Sequence, residues 1–193
     1  MRIQREPGDL ADTFTSPVGL ISVQLTPLKR LATTVREVQS PNGYNAWPMI
    51  VNAGTRLVCA YSRGTSHSTW ESERAAYSRF SDDNGATWSS ENLISDAPDA
   101  GDVIVGKGHD SNGNLLIWIR RVKTASTDAR TYHLYRSKDG GESWTLLASP
   151  TWPTAPAQVM DIIQVPTVGL MSLWYEGEYG TAPDHSWGYL VSS

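Results

Sequence analysis

"SDDNGATW" runs from Ser81 to Trp88 and "SKDGGESW" from Ser137 to Trp144, the two stretches starting 56 positions apart. Counting the same interval again reaches Ser193, where the sequence ends in "GYLVSS". The two units share Ser81 and Ser137, Asp83 and Asp139, Gly85 and Gly141, Thr87 and Ser143, Trp88 and Trp144. Each residue type has a turn reason. The aspartate accepts hydrogen bonds from backbone N–H groups just ahead of it, the glycine takes a positive φ, and the hydroxyl ties off the turn. The tryptophan then offers a rigid apolar plate to bury between layers. A strand-like run precedes each unit and the end of the chain: "AAYSRF", "YHLYR" and "WGYLVS". Each unit therefore reads as the tip of a β-hairpin.

Upstream of each hairpin the pattern repeats. A first strand ("WPMIV", "DVIVG", "MDIIQV") leads through a glycine-containing turn to a second. The second strands are "LVCAYSR" (Leu57–Arg63), "LLIWIRR" (Leu115–Arg121) and "LMSLWYE" (Leu170–Glu176). Four short strands per period of about 50 residues is the signature of a propeller blade. The expected fold is all-β, a partial β-propeller of four-stranded antiparallel blades. The blades fall at 41–96, 97–150 and 151–193, the last without its outer strand. Residues 1–40 form an N-terminal segment with one alternating strand, "LISVQL".

Composition agrees. The 193 residues are 39% hydrophobic and only 19% charged, with eight Trp and with Gly and Pro spread between short apolar runs. This favours strands and turns over disorder. A net charge of −4 gives nucleic acid no bulk attraction, so none is expected as a partner. Cys59 is the sole cysteine and sits in an apolar run, which excludes an intrachain disulfide and suggests burial. No stretch approaches the length of a membrane helix, and the N-terminus lacks the apolar core of a signal peptide.

The eight-residue unit resembles the Asp-box, or BNR repeat, of the sialidase superfamily. The first blade resembles that family throughout, with an x-x-Pro strand, a second strand ending in Arg, a polar loop and then the unit itself. The resemblance implies that Asp83 and Asp139 are structural and face away from the active site. It also implies six blades. The expectation is therefore the N-terminal portion of a longer propeller, or a chain whose open sheet faces are covered by other copies. For the parent protein an extracellular, cell-surface or virion-associated place is expected over a cytoplasmic one.

The family's site grips a carboxylate with three arginines and adds an Asp acid/base and a Tyr nucleophile paired with Glu. Arginine suits the grip because its planar fork meets a carboxylate bidentately. The resemblance places the second arginine at Arg63. Ala46, in "NAWP", stands where the first would be, and the loop "GTSHSTWESE" carries no Asp. His67, Glu71 and Glu73 are the titratable residues there that could exchange a proton. Trp47 and Trp70 offer sugar-stacking faces, and Arg121 and Glu176 occupy the places matching Arg63 in the next two blades. Arg120, Arg121 and Lys123 form the densest basic cluster. Asp102 and Asp161 enter inner strands and are candidates to approach the axis.

"DSNGN" (Asp110–Asn114) begins like a calcium loop but has Leu115 where the glycine belongs, and reads better as the turn between two strands. The four histidines are too scattered for a zinc signature. Neither a metal nor another cofactor is expected. The leading reading is a sialidase-like glycoside hydrolase domain for sialic-acid or other acidic glycans. The alternatives are a non-catalytic glycan-binding propeller, which would use the tryptophans and arginines without acid/base machinery, and a protein-interaction scaffold.

Overall fold

The computed structural model describes residues 36–39, 42–123, 130–152, 156–175 and 187–192, all within the compact unit Arg36–Ser193. Three antiparallel sheets follow one another along the chain. The first contains β1 (Tyr44–Ala53), β2 (Arg56–Gly64), β3 (Ala75–Ser81) and β4 (Asn92–Ser95), hydrogen-bonded in that order. The second repeats the plan with β5 (Ala100–His109), β6 (Leu115–Lys123), β7 (Arg130–Ser137) and β8 (Thr145–Ala148). The third has β9 (Gln158–Val165), β10 (Gly169–Tyr175) and β11 (Trp187–Ser192). None of the three closes into a barrel, and the fold is a partial β-propeller.

The second strand of each sheet is central, which explains why "LVCA" and "LLIWI" read as continuous apolar runs. Val58, Ala60 and Ser62 point toward the second sheet. There Val58 packs with Leu115, Ala60 packs with Ile104, Ile117 and Ile119, and the Ile104 N–H donates to Ser62 Oγ at 3.0 Å. Strand alternation then turns Tyr61 and Arg63 to the opposite face. A further core lies between the second and third sheets, where Val103, Leu116, Trp118 and Tyr132 meet Val159 and Ile162.

The inner strands come very close. A Cβ on Gly106 would lie 2.6 Å from the Met160 carbonyl oxygen, and one on Gly108 would collide with that of Ile162. Glycine at both positions lets β5 pack directly on β9.

The two eight-residue units are built alike. Ser81 Oγ donates to Asp83 Oδ1 at 2.8 Å and accepts from Gly85 N–H at 2.7 Å. Asp83 also accepts from Thr87 N–H at 2.8 Å and from Thr87 Oγ1 at 2.7 Å. Ser137, Asp139, Gly141 and Ser143 repeat every one of these bonds. These donors hold both carboxyls at about 2, those of Thr87 acting on exposed Asp83 and those of Ser143 and Ser137 outweighing partial burial at Asp139. Gly85 and Gly141 have φ of +82° and +90°.

The second unit is plugged into the first sheet. Trp144 Nε1 donates to Ser78 Oγ at 2.9 Å, and that hydroxyl donates on to the Gly141 carbonyl at 3.0 Å, where Asn92 Nδ2 also donates. Arg56 clamps the same end by pairing with Asp82 of one unit and Glu142 of the other, both at 2.7 Å.

Candidate functional site

The registers Tyr44↔Gly64, Ala100↔Lys123 and Gln158↔Tyr175 bring the starts of the first strands and the ends of the second strands together at one end of each sheet. The eight-residue units sit at the other end, where Leu57 pairs with Ser81 and Leu115 with Ser137. Most of the sequence-predicted site residues lie at the first end.

Three of them converge there. β1 carries a bulge between Ala46 and Met49, and within it Trp47 adopts a φ of +50°, a left-handed conformation unusual for a bulky residue. The kink places Trp47 under the β2–β3 loop. His67, exposed on that loop, lies 5.4 Å from the Trp47 ring and packs edge-on against Tyr44 at 5.5 Å. Beneath them is Arg74, wholly buried, with its guanidinium 4.8 Å from the Trp47 ring centre. Arg74 Nε donates to the Ser68 carbonyl at 2.8 Å, and Nη2 reaches the Ser66 carbonyl and the Glu71 carboxylate. Arg74 Nη1 is buried and makes no hydrogen bond.

Glu71 closes the loop on itself. It accepts from the Thr65 hydroxyl at 2.7 Å and from Thr65 and Ser66 N–H, and pairs with Arg74 at 2.5 Å. Partial burial works against the charge, but these donors hold the carboxyl below the usual carboxylate range. Glu71 is therefore held as the carboxylate and orders the loop. The loop rests on the second sheet: a Cβ at Gly101 would collide with the Thr69 carbonyl, and Asp102 N–H donates to the Arg74 carbonyl at 2.9 Å. Trp70 is 46% exposed on the same loop.

Arg63 points to the other side of β2. It lies 4.2 Å over the Tyr77 ring and pairs with Glu91, which also accepts from Tyr61 Oη at 2.5 Å. The Tyr61 phenol is only 3% exposed, and burial together with Glu91 pushes its pKa far up. Asp102 is fully buried and accepts from Arg121 Nε at 2.8 Å and Nη2 at 3.2 Å, while Ser95 Oγ takes a third bond from Arg121. The two predicted ligand contacts are thus partners of each other. Asp161 is further along the inner strands, where it pairs with Lys107 at 2.8 Å. Glu176 lies outside the described residues. "DSNGN" is a turn between β5 and β6, with Asp110 accepting from Asn112 and Asn114 N–H.

Sequence reasoning missed Arg74, Glu91 and Tyr44. Arg74 carried one signal, a charged residue placed directly before the apolar run "AAYSRF".

No family model matches the chain, and neither does any curated protein. Solved structures do. A protein of unknown function from Dyadobacter fermentans superposes with a TM-score of 0.64 at 15% identity, covering 82% of this chain and 54% of that one. The fold is shared. BT0996, solved as an RGII complex, gives a TM-score of 0.51 at 11% identity, covering 80% and 56%. The Hadza microbial sialidase Hz136 gives 0.47 at 18%, covering 70% and 28%, too loose a superposition to bear on chemistry. The chain spans about half the length of the first two. At such identities the likeness is one of architecture.

Proposed function

We propose that this chain is part of a sialidase-like propeller that recognises acidic glycans at the end of the sheets where the β2–β3 loop lies. The carrying observation is the stack of His67 on Tyr44 and Trp47 above the buried Arg74 cation. Exposed rings offer flat apolar faces to sugar C–H groups, and Arg74, whose Nη1 keeps a spare N–H beyond its pairing with Glu71, adds a donor suited to a carboxylate. Trp70, exposed on the same loop, extends that surface. Recognition is favoured over hydrolysis by the pairings of the candidate catalytic groups. Glu91 occupies Arg63, and Arg74 with the loop donors occupies Glu71.

The test is calorimetric titration of the full chain with an α2,8-linked sialic acid trimer, using neutral maltotriose as control. His67→Ala with Trp70→Ala should weaken binding of the acidic trimer about tenfold or more and leave the melting temperature within a few degrees. Equal binding of both trimers would sink the reading. The hydrolase alternative is served by the pairing of Arg63, Glu91 and Tyr61. It predicts cleavage of a fluorogenic sialoside that is lost in Arg63→Ala with the fold intact.

A further inference from the structure

Burying an N–H without an acceptor is costly, and an unpartnered donor in a native fold calls for an explanation. Three such donors gather in the seam between the second and third sheets. Trp118 and Arg120 share one face of β6 and point toward β9: Trp118 packs in the cluster holding Val159 and Ile162, and Arg120 Nη1 comes within 3.5 Å of the Ala157 carbonyl and Gln158 Oε1. Trp152, half-buried beyond β8, lies 6.4 Å from Trp118 and stands edge-on to Tyr132 at 5.6 Å and Trp174 at 5.7 Å. Trp118 Nε1, Trp152 Nε1 and Arg120 Nε are all buried with no hydrogen-bond partner. The neighbouring phenol does not satisfy them, and Tyr132 Oη itself donates to the Pro156 carbonyl at 3.1 Å.

The surrounding rings are aromatic and the spare polarity is all donor, with one cation contributing. That combination suits a ring with C–H faces and outward oxygen atoms, preferably an anionic one. It is distinct from the β2–β3 loop, since its donors come from β6 and from the segment after β8. Half-buried Trp152 and Trp174 form its rim, and Trp152 is held there by ring contacts without a hydrogen bond at Nε1.

We propose that this seam is a second subsite, in which Trp118, Trp152 and Arg120 bind the carboxylate and ring oxygens of a further acidic sugar. The proposal rests on the reading that the chain recognises acidic glycans. It explains why hydrogen-bonding groups were left without partners in an otherwise apolar junction.

Trp118→Phe and Trp152→Phe each remove an N–H and keep most of the ring. Titrated with the sialic acid trimer as full chains, each should stay folded and bind about five- to twentyfold more weakly than the parent, the ring volume lost at buried Trp118 lowering its melting temperature in its own right. His67→Ala with Trp70→Ala provides the comparison. If that variant binds weakly while both phenylalanine variants bind like the parent, the seam is not a subsite and the loop reading survives. If the parent binds no acidic trimer, both readings fall.

Discussion

Two tryptophans at equivalent places in the repeated unit have different surroundings. Trp144 donates to Ser78 of the preceding sheet, whereas the buried Trp88 Nε1 has no partner. A hydrogen bond of this kind contributes about 1 kcal/mol net, and an orphaned buried acceptor costs more than that when its donor is removed. Trp144→Phe should therefore lower unfolding stability by about 1–2 kcal/mol, while Trp88→Phe should change it by less than about 0.5 kcal/mol. Urea denaturation of the two variants checks the difference. Equal losses would mean that the indole N–H of Trp144 contributes nothing. The same one-residue view explains the candidate site. His67 and Glu71 stood out in the sequence because they sit in a short polar loop, and Trp47 because it is the ring in "NAWP" at the head of β1. Arg63 was legible as an arginine at a strand end, but its partner was not. Glu91 belongs to a different connection, the approach to β4, and nothing in the local pattern of "SSENLIS" says which cation it meets.

At the scale of the strand and turn, the sequence carried the all-β plan of successive antiparallel sheets, while the expected strand "LISVQL" lies outside the described residues. Period-two runs, glycine turns and the twice-repeated Ser–Asp–Gly–Trp unit locate the strands of the two four-stranded sheets and the three-stranded one that follows. Long-range choices were less visible, because Gly106 and Gly108 look like strand weakeners until β9 is seen lying against them. The turns offer a test of which glycines answer to packing. Gly113, with φ of +78°, faces open space, so Gly113→Ala should cost only the left-handed backbone penalty of about 1–2 kcal/mol. Gly141 has φ of +90° and would set its Cβ 2.7 Å from Val58 Cγ1, so Gly141→Ala adds a clash with the neighbouring sheet. Thermal melts should show Gly141→Ala clearly the more damaged. A matching loss in Gly113→Ala would remove the packing argument.

For the molecule as a whole, the carboxylates make stability depend on acid. Asp83 and Asp139 titrate at about 2 in the folded chain against roughly 3.9 unfolded, and Glu71 and Glu91 are also lowered. Between the folded and unfolded values the unfolded chain binds more protons, so acid drives unfolding. Burial also lowers His133, which adds a shallower loss as pH falls below about 6.5. The melting temperature should hold near pH 7 to 8, decline gently below about 6.5 and fall steeply between about 4 and 2. Asp83→Asn with Asp139→Asn should flatten the steep part. An unchanged acid limb in that double variant would show that the turns do not set it.

The plug joining the first two sheets also has a direction in time. A nascent chain leaves the ribosome amino end first, so Ser78 and Asn92 emerge ahead of Gly141 and Trp144. The residues of the socket are made before those of its insert. Each later sheet can then be seated against one already standing, and translation order becomes assembly order.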